Sequence, residues 1–100
     1  MPSFNAIEKV RFNSARPQRV QLYRCDPFAC DLLCLEPEQE FVLTGPAACY
    51  VITGDGSLQV AKRAEDLRMC HFASSDAGES HTVVNSSEQR LVLLMVSQHA

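Results

Sequence analysis

Short apolar runs separated by turn-forming residues follow one another from residue 19 to the end of this 100-residue chain. The runs cover residues 20–23, 28–35, 41–43, 49–52, 57–61, 67–73, 81–84 and 91–96. Because no helical spacing of apolar residues lies between them, the pattern predicts about eight short strands in an all-β antiparallel sandwich or barrel. Asp55-Gly56 predicts a hairpin between the fourth and fifth runs, and residues 63–66 are predicted to form a turn.

The first 18 residues do not share this pattern. They mix polar and apolar positions, and residues 5–10 are long enough for only one short helical turn before Pro17. We therefore predict an arm, residues 1–18, that packs on the barrel or on a dimer partner, followed by a barrel domain, residues 19–100. A chain of this length has room for one such domain.

The formal net charge of −3 at pH 7 is unevenly distributed. Residues 1–30 carry five Lys and Arg against two acids, whereas residues 31–60 carry five acids and no base. Without an overall basic excess, nucleic acid is not expected as a partner. No apolar run approaches the ~20 residues that a membrane helix needs, so a membrane is not expected either.

The cysteine content bears on the cellular compartment. The chain has five cysteines, an odd number, and its first residues do not read as an export signal. This combination fits reduced thiols better than a disulfide scaffold, so we predict a cytoplasmic protein.

Two stretches within residues 34–96 resemble the conserved motifs of the cupins. The second cupin motif, G-x5-P-x-G-x2-H-x3-N, is matched without a gap by Gly78, His81 and Asn85, with Cys70 in its first glycine place. The first motif opens on residues 35–39, similar to Leu-x-Pro-Gly-Gln, and closes on residues 50–54, similar to Tyr-Val-Leu-x-Gly. The resemblance implies a cupin-type double-stranded β-helix, a jelly-roll barrel, with an N-terminal arm.

The ligand places of the first cupin motif are changed. Cupin metal sites use three His and one Glu, and counting from the two ends of the motif puts these places at Thr44 and Pro46 or at Leu43 and Ala47. Under either count only His81 of the second motif remains. Because one imidazole cannot hold a divalent metal against water, we expect no metal ion and no other cofactor.

His81 is the main candidate for a functional group. By resemblance it points into the barrel mouth, with Val83 and Asn85 on the same face of the strand. It would serve a small polar ligand by hydrogen bonding or proton transfer, or it is a remnant whose ring is satisfied by a backbone carbonyl. His71 is predicted to lie on a strand beside Cys70, and adjacent strand residues point to opposite faces, so both cannot line one site.

Cys49 and Tyr50 complete the pocket candidates. Cys49 follows the lost Glu place by two residues, so it could face the same cavity as His81 and pair with it as nucleophile and base. The alternative is a small buried hydrophobe. Tyr50 is a further pocket candidate, and packing in the core or at an interface is its alternative role.

These expectations favour a metal-free cupin-like protein that binds a small ligand, or serves as an interaction module, without demonstrated catalysis. Two alternatives stay open: a cupin enzyme of the dioxygenase or isomerase type with atypical ligands, and thiol chemistry at Cys49. We also predict a homodimer, because Ile7, Val10 and Phe12 of the arm would be stranded on a lone barrel and buried across a two-fold axis.

Overall fold

The computed structural model describes residues 3–98 and contains, within that range, one short 3₁₀ helix and nine β-strands. The helix η1 is Ala6–Lys9, and the strands are β1 Gln18–Cys25, β2 Phe28–Leu35, β3 Glu40–Thr44, β4 Ala47–Thr53, β5 Gly56–Val60, β6 Arg63–Leu67, β7 Phe72–Ser75, β8 Ser80–Val84 and β9 Leu91–Gln98. The predicted all-β class is confirmed. No helix among the described residues is long and apolar enough to cross a membrane.

The strands form two antiparallel sheets. One sheet has the order β1-β2-β9-β4-β7 and the other has the order β3-β8-β5-β6. From β2 onward the chain passes from one sheet to the other at almost every connection, and it stays within a sheet only between β5 and β6. This winding is the jelly-roll arrangement that the resemblance implied.

The core lies between the two sheets, where alternate residues of each strand point inward. Its centre is leucine-rich because β2 pairs with β9, which places Leu33 opposite Leu93 and Leu35 opposite Leu91. The four-stranded sheet contributes Leu43, among others, to the same cluster. The inner positions are therefore almost all apolar, and the polar exceptions stand out as candidate functional groups.

The N-terminal arm packs on the outside of the five-stranded sheet of its own chain. Val10 and Phe12 contact a second cluster formed by Leu32, Cys34 and Val92. This contact explains why β2 is buried on both faces over most of its length. The arm therefore gives Val10 and Phe12 partners within the chain, whereas Ile7 remains 44% exposed. The homodimer itself stays a prediction.

The predicted hairpin at Asp55-Gly56 was wrong. The strands on either side, β4 and β5, belong to different sheets, so this segment is a crossover. The glycines are required by close packing: a Cβ on Gly54 or Gly56 would overlap the carbonyl oxygen of Arg90 or of Val84, respectively. The Asp-Gly pair correctly indicated a change of chain direction, but it does not determine whether the next strand pairs with β4 or enters the other sheet.

The hairpin of this region lies one connection later, between β5 and β6. Residues 63–66 were predicted as a turn, but they form most of β6, an edge strand whose first four residues are exposed. Charged residues are typical of such edges, and they hid the strand from an analysis based on apolar runs. The predicted strand 67–73 is interrupted by a turn, and β7 begins only at Phe72.

Three non-glycine residues adopt left-handed backbone conformations: Glu38 at φ 71°, Ala61 at φ 56° and Cys70 at φ 72°. Ala61 lies in the tight turn between β5 and β6. Glu38 and Cys70 lie where the cupin motifs have glycine: Glu38 in the stretch similar to Leu-x-Pro-Gly-Gln and Cys70 at the start of the second motif. The motif glycines thus mark a backbone requirement that this chain meets with other residues, at a cost of about 1–2 kcal/mol each.

Replacing Glu38 with glycine is expected to raise the free energy of unfolding by about 0.5 kcal/mol, since relief of strain outweighs the added flexibility of the unfolded chain. The midpoint of thermal unfolding should rise by about 2–4 °C. The control is Glu38→Ala, which keeps a Cβ and should bring no gain. Equal melting temperatures for the two variants would show that the left-handed backbone carries no strain.

Candidate functional site

His81 lies at the start of β8, on its inner face, and is partly buried. Its Nδ1 is 2.8 Å from Oγ of Ser75, a buried residue of β7. The Ser75 hydroxyl donates its hydrogen to the backbone carbonyl of Leu43 at 3.1 Å. Because a hydroxyl has one hydrogen, Ser75 accepts from His81, so Nδ1 of His81 carries the proton and Nε2 presents a lone pair.

A cavity of about 460 Å³ opens between the edges of the two sheets, where β6 faces β7. Its polar and aromatic lining comes from β6, from the turn that follows, from β7 and from β8, and includes Arg63, Glu65, Asp66, His71, Phe72 and His81. We call this space the histidine cavity. It contains His81, the histidine that was expected at the barrel mouth, together with side chains that the sequence analysis did not assign to a site.

His71 is the principal residue that the sequence analysis missed. It lies in the turn between β6 and β7, so the alternation argument for a strand does not apply. The turn is anchored to β4, because Cys70 donates to the carbonyl of Val51 at 3.0 Å and Val51 donates to the carbonyl of His71 at 2.9 Å. The signal for this turn was present in the sequence: Cys70 occupies a motif place where the family has glycine.

The ring of His71 is exposed, unlike that of His81, but it also has a partner at Nδ1. Its Nδ1 lies 3.1 Å from the backbone oxygen of Asp66. A carbonyl oxygen can only accept, so Nδ1 carries the proton and Nε2 of the neutral ring is an acceptor. Among the described residues, neither Nε2 has a hydrogen-bond partner within the protein. The histidine cavity therefore offers two imidazole acceptors of defined tautomer.

A second, smaller cavity of about 250 Å³ is lined mainly by β3 and by the ends of β1 and β9. We call it the arginine cavity because Arg19 is its charged group. Arg19 donates through Nε to Oδ2 of Asp31 at 2.9 Å and through Nη2 to Oγ of Ser97 at 3.2 Å. Asp31 is buried, so this ion pair is a polar inclusion at one end of the core. Neither residue was among the sequence candidates, because an Arg and an Asp twelve positions apart carry no motif.

Val83 and Asn85 continue the face that His81 begins, but neither is available to a ligand. Val83 is fully buried in the core. The Asn85 amide donates to the carbonyls of Leu35 at 3.0 Å and Gln89 at 2.7 Å, and its oxygen accepts from the backbone and hydroxyl of Ser87. All the polar atoms of Asn85 are used to hold the connection between β8 and β9.

Cys49 lies in the core and does not line either cavity. Burial raises the pKa of its thiol to about 11, which outweighs the opposing effect of a hydrogen bond with the backbone of Ala73. The thiol is therefore protonated at neutral pH, whereas a nucleophile or metal ligand requires the thiolate. This environment suits the small buried hydrophobe of the sequence analysis.

Tyr50 follows Cys49 on β4 and so points to the opposite, outer face of the sheet. It is 40% exposed and lies outside the histidine cavity. A hydrogen bond with the side chain of Cys70, together with an electrostatic effect of that side chain, raises the pKa of the phenol. Of the two alternatives given for Tyr50, the structure places it on an outer surface rather than in a pocket.

The residues present do not fit a cupin metal ion. Within residues 3–98 no three His, Cys, Asp or Glu side chains are grouped closely enough to hold one. Leu43 is buried in the core and pairs with His81 across β3 and β8, so an apolar residue occupies the position opposite the remaining imidazole on the neighbouring strand. Thr44 is exposed, and it brings at most a neutral hydroxyl, a weak ligand for transition metals.

Comparison with known proteins supports the fold. The chain superimposes on a Thermus thermophilus protein with a TM-score of 0.89 and 22% identity over 100% of both chains. It matches an uncharacterized double-stranded β-helix protein of Klebsiella pneumoniae (TM-score 0.86, 20% identity, 98% of this chain and 90% of that chain). It also matches an RmlC-like cupin of Desulfovibrio desulfuricans (TM-score 0.79, 18% identity, 97% of this chain and 96% of that chain). No family model and no curated protein matches the sequence.

These similarities define a class of protein: a single double-stranded β-helix that spans nearly the whole chain. The chain has the fold of a small cupin domain, as the resemblance in residues 34–96 implied. At identities of 22% or below the similarity establishes the fold alone.

Proposed function

We propose that the protein binds a small ligand rich in hydrogen-bond donors in the histidine cavity, without a metal ion and as a binding protein rather than an enzyme. The observation that carries this proposal is the pair of imidazole rings, His71 and His81, each fixed through Nδ1 so that Nε2 is left as an acceptor. Two acceptors of defined tautomer in one cavity favour a ligand that donates to both.

The rest of the lining has the same character. Glu65 contributes a carboxylate, which accepts hydrogen bonds, whereas the carboxylate of Asp66 is paired with Arg68 at 3.3 Å. Arg63 is the one cation among the described lining residues, and its guanidinium is already bound to Glu65 at 3.0 Å. Acceptors thus exceed free donors, which favours neutral polyols and disfavours carboxylates and phosphates. The volume of about 460 Å³ lies within the range of small-molecule sites.

A binding role is favoured over catalysis by the partners of the two histidines. Their Nδ1 atoms contact a backbone carbonyl and a serine, and among the described residues neither contacts a carboxylate. A carboxylate is the usual group that orients a histidine base and stabilises its protonated form. The buried, protonated thiol of Cys49 does not supply a nucleophile to this cavity. No observation favours the enzyme or the thiol alternative.

The cysteines support a cytoplasmic location for this binding protein. All five are free, and Cys25 and Cys70 are exposed. Exposed free thiols persist in a reducing compartment and are oxidised outside it.

Nitrogen NMR of the histidine rings tests the proposal directly. We expect one or more of glycerol, ribose and glucose to shift the Nε2 signals of His71 and His81, and we expect acetate and citrate to leave them unchanged. The substitution His81→Leu should weaken binding about 5- to 12-fold, because one hydrogen bond contributes about 1–1.5 kcal/mol. The matched control is Val42→Thr, a change at an exposed position outside the cavity, which should keep the wild-type affinity.

The same protein sample tests the proposal that the cavity binds its ligand without a metal ion. Elemental analysis of untagged protein should find iron, manganese, zinc and nickel far below one equivalent, and these salts should not move the thermal unfolding midpoint. Near-stoichiometric metal that is lost in His81→Ala would contradict the proposal. Ring signals that respond to carboxylates alone, or to none of the probes, would contradict the ligand class.

A further inference from the structure

The outer face of the five-stranded sheet carries an uncovered apolar surface. Tyr23, Phe28, Tyr50, Phe72 and Val96 all point outward there, and their exposed fractions run from 40% for Tyr50 to 69% for Phe72. We call these five side chains the outer patch. They belong to five different strands of one sheet, so the sequence does not show them as a group.

The strand register makes the outer patch continuous. Residues directly opposite each other in an antiparallel pair share a face. Tyr23 pairs with Cys30, which pairs with Val96. In the next row Tyr50 lies between Leu94 of β9 and Phe72 of β7. Cys30 and Leu94, both partly buried, thus fill the space between the five exposed side chains.

The arm covers a different part of this face. Val10 and Phe12 pack on the end of the sheet that holds Cys34 and Val92. The outer patch lies toward the other ends of β2 and β9, at Phe28 and Val96. Within residues 3–98 nothing packs over it, although the same face is protected where the arm reaches.

The size of the outer patch suits a protein interface. At about 200 Å² for a whole aromatic side chain, the exposed fractions sum to about 500 Å² of apolar surface. Two such surfaces facing each other would bury about 1,000 Å², the lower bound of a specific interface, before any polar rim is added. Exposed apolar patches of this size commonly mark interaction sites.

We propose that the outer patch is a homodimer interface in which two copies of this chain pack sheet against sheet about a two-fold axis. In such an interface each residue meets the same surface on the partner, so like charges would be brought together. The outer patch and the residues between its members, Cys30 and Leu94, are uncharged. An uncharged, apolar sheet face meets the same surface on a second copy without bringing like charges together, which favours a second copy over a charged partner.

This interface differs from the one expected from the sequence, which used the arm. It is also independent of ligand binding, although the two surfaces meet at Phe72, which belongs to the outer patch and lines the histidine cavity. A failure of the polyol titration would leave the dimer proposal intact, and a monomeric protein would leave the cavity intact.

Light scattering coupled to size exclusion tests the proposal on the full chain. The wild type should have twice the chain mass of 11.1 kDa at micromolar concentration. Val96→Lys should raise the dimer dissociation constant at least about 100-fold, since it buries a charge near the centre of the interface on both copies. Phe72→Glu should act in the same way from another strand.

The matched control is Val42→Lys on the other sheet, which introduces the same charge at a similarly exposed valine of a strand and should remain dimeric. Circular dichroism shows that each variant is folded, which these exposed positions permit. A monomeric wild type, or a dimer that persists in folded Val96→Lys and Phe72→Glu, would overturn the proposal. A dimer that Val42→Lys disrupts equally would also overturn it.

Discussion

Replacement of Asn85 by leucine is expected to lower the free energy of unfolding by about 3 kcal/mol. The amide is fully buried and uses both donors on the carbonyls of Leu35 and Gln89, and its oxygen accepts from Ser87. Leucine has a similar size but removes the side-chain partner of the Leu35 carbonyl and of the Ser87 backbone N–H, and it leaves the Gln89 carbonyl with the Ser87 hydroxyl alone. Thermal unfolding should shift down by about 15 °C, as measured by circular dichroism or calorimetry.

The control is Asn5→Ala. Asn5 makes one comparable hydrogen bond, to the backbone of Ile7, at the exposed start of η1, so its loss should cost about 1 kcal/mol or less. Comparing the two variants shows how much of the loss in stability is caused by burial of the amide and how much by the loss of a hydrogen bond as such. A variant Asn85→Leu with wild-type stability would return Asn85 to the role of a ligand group that the cupin resemblance first suggested.

The fold was predictable because each strand carries its own signal. Runs such as 28–35 and 91–96 are apolar, of strand length and bounded by turn residues, and both correspond to strands of the structure, β2 and β9. β6 was missed because its edge position leaves it exposed and charged, without an apolar run. Which strands pair with each other was harder to predict than where the strands lie in the sequence. Nothing local to Asp55-Gly56 shows that β4 and β5 belong to different sheets.

The candidate site was predictable only where a motif marks it. His81 was found through the spacing of the second cupin motif, and it lines the histidine cavity. His71 was set aside because it was placed on a strand, whereas the left-handed backbone of Cys70 makes that segment a turn. Arg63, Glu65 and Asp66 reach the cavity from β6, so an error in one strand removed three lining residues at once.

Substitution of Arg19 by methionine is expected to cost about 2–3 kcal/mol, since it leaves the carboxylate of Asp31 buried without its cation. The side chain of Asp31 is 4% exposed and that of Arg19 is 39% exposed, so water screens the pair in part and the effect falls below that of a fully buried pair. Urea unfolding at neutral pH measures it. The double variant Arg19→Met with Asp31→Leu removes both charges and should unfold within about 1 kcal/mol of wild type.

An exposed ion pair of the same geometry is the control. Arg24 and Asp26 lie 2.8 Å apart, against 2.9 Å for Arg19 and Asp31, but both side chains are at least half exposed. Arg24→Met should therefore change stability by less than about 0.5 kcal/mol. If Arg19→Met and Arg24→Met have equal, small effects, then water solvates Asp31 well enough to hold its charge alone. A double variant as unstable as Arg19→Met would show instead that Arg19 stabilises the core by packing beside Ser97, and not by neutralising Asp31.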